Sequence, residues 1–175
     1  MSDQDNVPVV GALLVPHAVR LSVRADVPAA ASIGLALGVL LGTVPCRAVT
    51  ANGRSALWLG PDEWLVLAPA TERELAKEIS AGLASIVDMS HAYIGIEVLG
   101  PRAAWCVNAF NALDLADHAF PVGACSRTLF GKAEIVLWRP EAERFHIEVA
   151  RSYGPYVWQC LNEARWEFIV TANTC

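Results

Sequence analysis

The sequence is short of charge. Only 18% of its 175 residues are Asp, Glu, Lys or Arg, against about 25% in an average soluble domain. Lys and Arg form no run or stripe, and the net charge is -5. Phosphate contacts need clustered cations, so nucleic-acid binding as the main activity is excluded. A polybasic membrane anchor is excluded on the same ground. Glycine fingerprints are missing as well. No G-x-G-x-x-G follows the first strand, and there is no Walker A segment and no G-x-S-x-G elbow, which removes the usual signatures of dinucleotide binding, phosphate cradling and nucleophilic hydrolysis. The four histidines are His17, His91, His118 and His146. No two of them stand four apart, as a helical zinc site requires. The five cysteines, Cys46, Cys106, Cys125, Cys160 and Cys175, form no C-x-x-C pair and are odd in number. They read as free thiols of a cytoplasmic protein rather than a disulfide framework or a zinc knuckle.

Long apolar runs need a test too. Residues Val27 to Cys46 carry no charge. Pro28 marks a helix start and Gly42 a stop, leaving a helix of about 14 residues and roughly 21 Å, too short for the ~20 residues of a membrane span. Gly34, Gly38 and Gly42 would then recur on one helix face and permit close backbone approach. Met1 to Asn6 is polar and acidic, without the positive and apolar regions of a secretory signal.

What the chain does have is apolar surface. The hydrophobic fraction is 54%, with six Trp, and the mean hydropathy is +0.38. Such a chain is not disordered. Its surplus points to a large core or to a partner's surface, where Trp is enriched.

Periodicity gives the elements. Val19, Leu21 and Val23 alternate with Arg20, Ser22 and Arg24 in a strand ending near Asp26. A helix runs from Pro28 to about Leu41. Strands follow at Val44 to Ala51, Ser55 to Leu59 and Trp64 to Ala68, with Asn52-Gly53 as a hairpin turn. Thr71 and Glu74 form a capping box for a helix reaching about Ala84. The second set has a strand around Ile94 to Val98 and a helix from Pro101 to about Ala112. Asn111 to Gly123 is a loop. Strands come at Ala124 to Phe130, Ala133 to Trp138 and Arg144 to Ala150, and a final helix runs from Tyr153 to about Phe168. Both sets read strand, helix, three strands, helix, which suggests an internal duplication in an α+β domain. The expected organisation is a flexible segment 1–16 and a single domain 17–170. Its two pseudo-repeated halves lie at about 17–86 and 87–170, and 171–175 form a tail.

Candidate sites are few. Gly60-Pro61-Asp62-Glu63-Trp64 places two carboxylates after a Gly-Pro turn. They suit acid/base work or amine binding, or else a turn whose Trp64 plugs a core or an interface. Arg151-Ser152 sits between a strand and a helix start, where Arg151 suits either an anion or a partner's carboxylate. His146 and Glu148 share one strand face, read as exposed and polar. Asp88, Ser90 and His91 include the residue types of a triad, but adjacency in sequence does not make triad geometry. A Cys-His pair of Cys106 with His91 or His118 is a further option.

Several segments taken in order resemble the sarcosine oxidase gamma subunit family. They are Leu59-Gly60-Pro61-Asp62-Glu63-Trp64-Leu65, Val87-Asp88-Met89-Ser90-His91 and Gly100-Pro101-Arg102-Ala103, then Asp114-Leu115, Phe120-Pro121-Val122-Gly123, Thr128 and Arg151-Ser152-Tyr153. The resemblance implies a fold similar to the folate-binding domain of the glycine-cleavage T protein. It also implies a heterotetramer with alpha, beta and delta subunits. Such a complex oxidatively demethylates sarcosine to glycine, yields hydrogen peroxide and passes the one-carbon unit to tetrahydrofolate. FAD, FMN, NAD, tetrahydrofolate and zinc are then expected on the other subunits, with no catalytic, cofactor or metal residue in this chain. Gly60, Pro61, Asp62, Glu63, Trp64, Arg151 and Ser152 become candidate interface or turn residues. The alternative is a stand-alone folate-binding protein resembling the T-protein group, with Glu63, Glu97 or Glu134 holding the pterin. A hydrolase using Cys106, or Ser90 with His91, is a third reading.

Overall fold

The alternation around Arg20 builds β2 (Ala18–Arg24), which turns Val19, Leu21 and Val23 into one core and Arg20 and Ser22 to the opposite side. The protein is described by a computed structural model covering residues 10–15, 18–75 and 84–172, with side chains in the last helix only as far as Trp166. Around β2 the chain forms β1 (Gly11–Val15), α1 (Val27–Leu37), β3 (Ala48–Ala51), β4 (Arg54–Gly60) and β5 (Glu63–Pro69). The second half adds β6 (Ser85–Asp88), β7 (Tyr93–Leu99), α2 (Ala103–Asn108), β8 (Cys125–Phe130), β9 (Ala133–Glu141), β10 (Arg144–Ala150) and α3 (Gly154–Ala172).

The strands make two antiparallel five-stranded sheets, ordered β1-β7-β10-β9-β8 and β3-β4-β5-β2-β6. Each sheet takes its edge strand from the segment that precedes the other half. β1 pairs with β7, Leu14 opposite Ile96. β6 pairs with β2, Leu21 opposite Asp88. The repeat is therefore strand, strand, helix, three strands, with its first strand handed to the opposite sheet.

Period-2 patterning sorts the side chains into three layers. Val19, Leu21, Trp64 and Val66 pack with Ile33 and Leu37 of α1. Ile96, Ile135, Phe145 and Ile147 pack with Cys106 of α2 and Val157 and Leu161 of α3. The remaining faces meet each other through Leu57, Leu65, Leu67, Cys125 and Val136. Helices thus lie outside and two sheets inside. Along β3 and β8 the sheets are stitched by an Arg47–Ala124 bridge and by the Cys125 amide donating to Cys46 O at 2.9 Å. At the other side of the sandwich lie the outer strands β1 and β6.

Several expectations change. Residues Gly11–Val15, assigned to a flexible segment, are a strand. Ser85–Asp88 is also a strand, so the Asp88 to His91 stretch is a strand end followed by a turn rather than a plain loop between halves. The first helix stops at Leu37, because Gly38 takes the left-handed conformation at φ 62° and closes it. Of the three glycines only Gly34 is helical, and a Cβ there would stand 3.2 Å from Val39 O and Leu41 N. Gly42 lies beyond the helix, where its carbonyl accepts the Trp64 indole N–H at 2.8 Å. Asn52-Gly53 turns as read, with φ of 53° and 74°, the left-handed pair of a type I′ hairpin. The helix from Pro101 shortens to Ala103–Asn108, and the last helix runs four residues beyond Phe168 to Ala172. Ala70–Glu72 forms a 3₁₀ turn. Most of the helix expected from Thr71 falls on residues 76–83, outside the described residues.

Candidate functional site: a charged layer between the sheets

β10 alternates Phe145, Ile147 and Val149 with His146 and Glu148. The second set was expected to be exposed. It is buried instead, with His146 at 5% and Glu148 at 0% exposure, because this face of β10 looks at the other sheet. There Arg20, 2% exposed, donates from Nε to Glu148 Oε2 at 2.5 Å and from Nη1 to Ala18 O at 3.1 Å. His146 Nε2 lies 2.8 Å from Glu148 Oε1 and its Nδ1 lies 3.5 Å from Glu97 Oε1. Arg144 donates to the same Glu97 oxygen and reaches Glu141 at 3.1 Å. Trp138 meets the imidazole edge-on with centroids 5.8 Å apart.

Burial by itself would hold the imidazole neutral, but hydrogen bonds and charge from Glu148 and Glu97 raise the His146 pKa above its ordinary value. Burial likewise opposes ionisation of Glu148, and the His146 hydrogen bond and charge, with Arg20, outweigh it and lower its pKa. Glu97 is pulled down to about 2, first by its hydrogen bond from His146 and also by Arg144, against its own desolvation. The layer is a chain of alternating charge, Arg20, Glu148, His146, Glu97 and Arg144, that crosses from one sheet to the other.

A cavity of about 700 Å³ opens beside it, at the side carrying β1 and β6. Leu14, Val19, Tyr93, Ile94, Ser90 and Arg151 contribute to its wall, with Arg20 and Gly95 at the inner end. Here two of the segments singled out in the sequence meet. The Arg20 amide donates to Ser90 Oγ at 3.0 Å, and Arg151 Nε donates to His91 O at 3.0 Å. Ser90 N–H in turn donates to Asp88 Oδ1 at 2.8 Å, and hydrogen bonds from Ser90 lower the Asp88 pKa. Ser90 therefore fastens β2 to the turn after β6.

The Gly60 to Trp64 segment divides. Pro61 and Asp62 are exposed. Glu63 joins the sheets, accepting from Arg127 Nη2 at 2.6 Å and Arg24 Nη2 at 2.9 Å, and its pKa is lowered chiefly by Arg127. Trp64 is 1% exposed. It is a core residue and cannot be the contact surface proposed for it from the sequence.

The other candidates resolve in the same manner. Burial pushes the Cys106 thiol up to about 11 and the Cys125 thiol up to about 12, values that suit packing rather than nucleophilic attack. Cys106 and Cys160 are buried and Cys46 exposed, all free. Glu63 and Glu97 are each held by an arginine, and Glu134 lies 3.7 Å from Arg127. Among the described residues no group of three or more His, Cys, Asp or Glu could hold a metal ion. No described helix is long and apolar enough to cross a membrane. Sequence reasoning missed Arg20 and placed Glu148 at the surface. The signal was present in Trp64-Leu65-Val66-Leu67-Ala68, which has no polar side and so belongs to a sheet covered on both faces.

This paired-sheet architecture matches that of aminomethyltransferase T of the glycine cleavage system from Bartonella henselae. The TM-score is 0.63 at 14% identity, covering 87% of this chain and 45% of that one, a likeness of fold alone. A chain of heterotetrameric sarcosine oxidase from Corynebacterium sp. U-96, solved with pyrrole 2-carboxylate, superimposes with a TM-score of 0.83 at 25% identity, over 91% of this chain and 85% of that one. In sequence, the chain is 31% identical over 136 residues to sarcosine oxidase subunit gamma of Corynebacterium sp. (strain P-1). It is 30% identical over 143 residues to that of an Arthrobacter species. These matches cover 75% and 79% of this chain but 63% and 68% of the relatives' own lengths. The profile of the sarcosine oxidase, gamma subunit family matches residues 22–167. The chain belongs to the sarcosine oxidase gamma subunit family.

Proposed function

We propose that this chain is the gamma subunit of a heterotetrameric sarcosine oxidase-like complex, assembled with alpha, beta and delta subunits in the cytoplasm. The complex would demethylate sarcosine oxidatively to glycine with release of hydrogen peroxide and transfer of the one-carbon unit to tetrahydrofolate. In this reading FAD, FMN, NAD, tetrahydrofolate and zinc belong to the other subunits, and this chain supplies a scaffold and interfaces. The likeness to a chain of heterotetrameric sarcosine oxidase over 91% of its length carries the proposal. The charged layer supports the scaffold role, since His146, Glu148 and Glu97 are spent on one another and on arginines of this chain. Exposed apolar side chains such as Trp105 and Trp166, each at 66% exposure, are available for partners.

Co-expression with the candidate alpha, beta and delta chains tests the proposal. Co-purification in equal stoichiometry, with flavin absorbance and sarcosine-dependent peroxide release, is the expected result. A chain that stays apart from every flavoprotein overturns it. The fold likeness to aminomethyltransferase T keeps a second reading, a stand-alone folate-binding protein. Saturable micromolar binding of tetrahydrofolate by the isolated chain would favour that reading.

A further inference from the structure

The cavity between the open edges of the sandwich is left out of the scaffold account, and its inner end holds an unspent donor. Arg20 has its Nε on Glu148 and its Nη1 on Ala18 O. Its Nη2 is buried and has no hydrogen-bond partner among the described residues. A buried guanidinium N–H without an acceptor is costly. Nη2 lies beside Gly95, where a Cβ would stand 3.0 Å from it, and both residues line the cavity. Glycine there makes room for Arg20, Glu148 and His146, which any side chain would crowd. Nearer the mouth stands Arg151, exposed, held through Nε to His91 O and without an ion pair among the described residues. Both guanidinium groups line the same space.

We propose that this cavity is a binding site for a small organic carboxylate, its anionic end on Arg20 Nη2 and Arg151 and its body against Leu14, Val19, Tyr93 and Ile94. A planar fork of donors suits a carboxylate. The apolar part of the wall selects an anion with a hydrocarbon or aromatic body over a bare inorganic ion. The volume of about 700 Å³ falls within the range of small-molecule sites, about 300–1,000 Å³. Ser90 and Asp88 hold the turn that forms one side, so the site is built by β1, β2, β6, β7 and the end of β10 together. The side chains named for it all belong to this chain.

The full-length chain is titrated calorimetrically with benzoate and with its neutral isostere benzamide at constant ionic strength. Benzoate is expected to saturate with a Kd at least about tenfold below that of benzamide, the weight of one charge-assisted contact. Amide chemical shifts should move at Ser90 and at Tyr93 to Gly95. Arg20→Lys keeps a cation for Glu148 but removes Nη2, and Arg151→Gln removes the charge at the mouth. Each should weaken benzoate binding about tenfold while leaving benzamide unchanged. If Arg20→Lys fails to fold, Arg151→Gln carries the test, because Arg151 is exposed. Equal affinity for benzoate and benzamide, no saturable binding, or unchanged benzoate affinity in Arg151→Gln overturns the proposal.

Discussion

Glu148 has a larger role than its position in a seven-residue strand suggests. It is a carboxylate shared by Arg20 and His146, accepting from one at 2.5 Å and contacting the other at 2.8 Å at essentially zero exposure. Replacing it leaves a guanidinium buried without its counter-charge. Glu148→Gln is therefore expected to destabilise the fold by about 3–5 kcal/mol in urea denaturation, the usual effect of breaking a buried pair from one side. The same residues set a pH window. Glu97, ordinarily near 4.5, is at about 2 when folded, so its contribution is complete above pH 4.5 and is lost as pH falls from there towards 2. Glu148 and Glu63, also lowered, add to that acid limb. His146 is raised above 6.5, so its contribution is complete below pH 6.5 and disappears as pH rises through its folded value. Stability from the layer should peak between pH 4.5 and 6.5. In denaturation curves across pH, Glu97→Gln should flatten the acid limb and His146→Gln the alkaline limb.

Among the elements, α1 shows how much of the fold one residue can decide. Asp26 Oδ1 accepts the Ala29 amide at 2.9 Å to start the helix, and Gly38 at φ 62° ends it. Gly38→Ala places a Cβ in the left-handed region and is expected to lower stability by about 1 kcal/mol or somewhat more, read from the shift in melting temperature. The sequence made most strands readable because apolar residues alternate or run continuously through them. It left β1 and β6 unread for a physical reason. Gly11–Val15 and Ser85–Asp88 are short edge strands whose partners lie in the other half of the chain, and local pattern carries no trace of a distant partner. The charged layer was half legible. His146 and Glu148 were correctly placed on one face, but which face is covered depends on the second sheet. Arg20 looked like a solvated residue, since nothing near it in sequence discloses Glu148 across the sandwich.

The whole molecule is two sheets locked by an apolar patch, Leu57, Leu65, Leu67, Cys125 and Val136, and by the charged layer beside it. Each sheet is completed by the other half's first strand. Removing residues 1–15 should therefore damage the second half more than the first. It strips β1 from β7 and removes the part of the cavity wall made by Leu14 and Val15. The expected outcome is a lower melting temperature and faster amide exchange in β7, with β2 and β5 largely protected. Equal loss of protection in both sheets would contradict the strand assignment.

The exchanged edges also fix an order of events during synthesis. β1 emerges from the ribosome first, yet the strand it pairs with is made only after the entire first half. Until then the nascent chain carries an unclaimed strand, whose Leu13 and Leu14 stay exposed even in the finished fold. The first sheet, for its part, lacks its last edge until β6 appears. Neither half can be finished alone, so the protein closes late and all at once, with its two halves joined by the strands they trade.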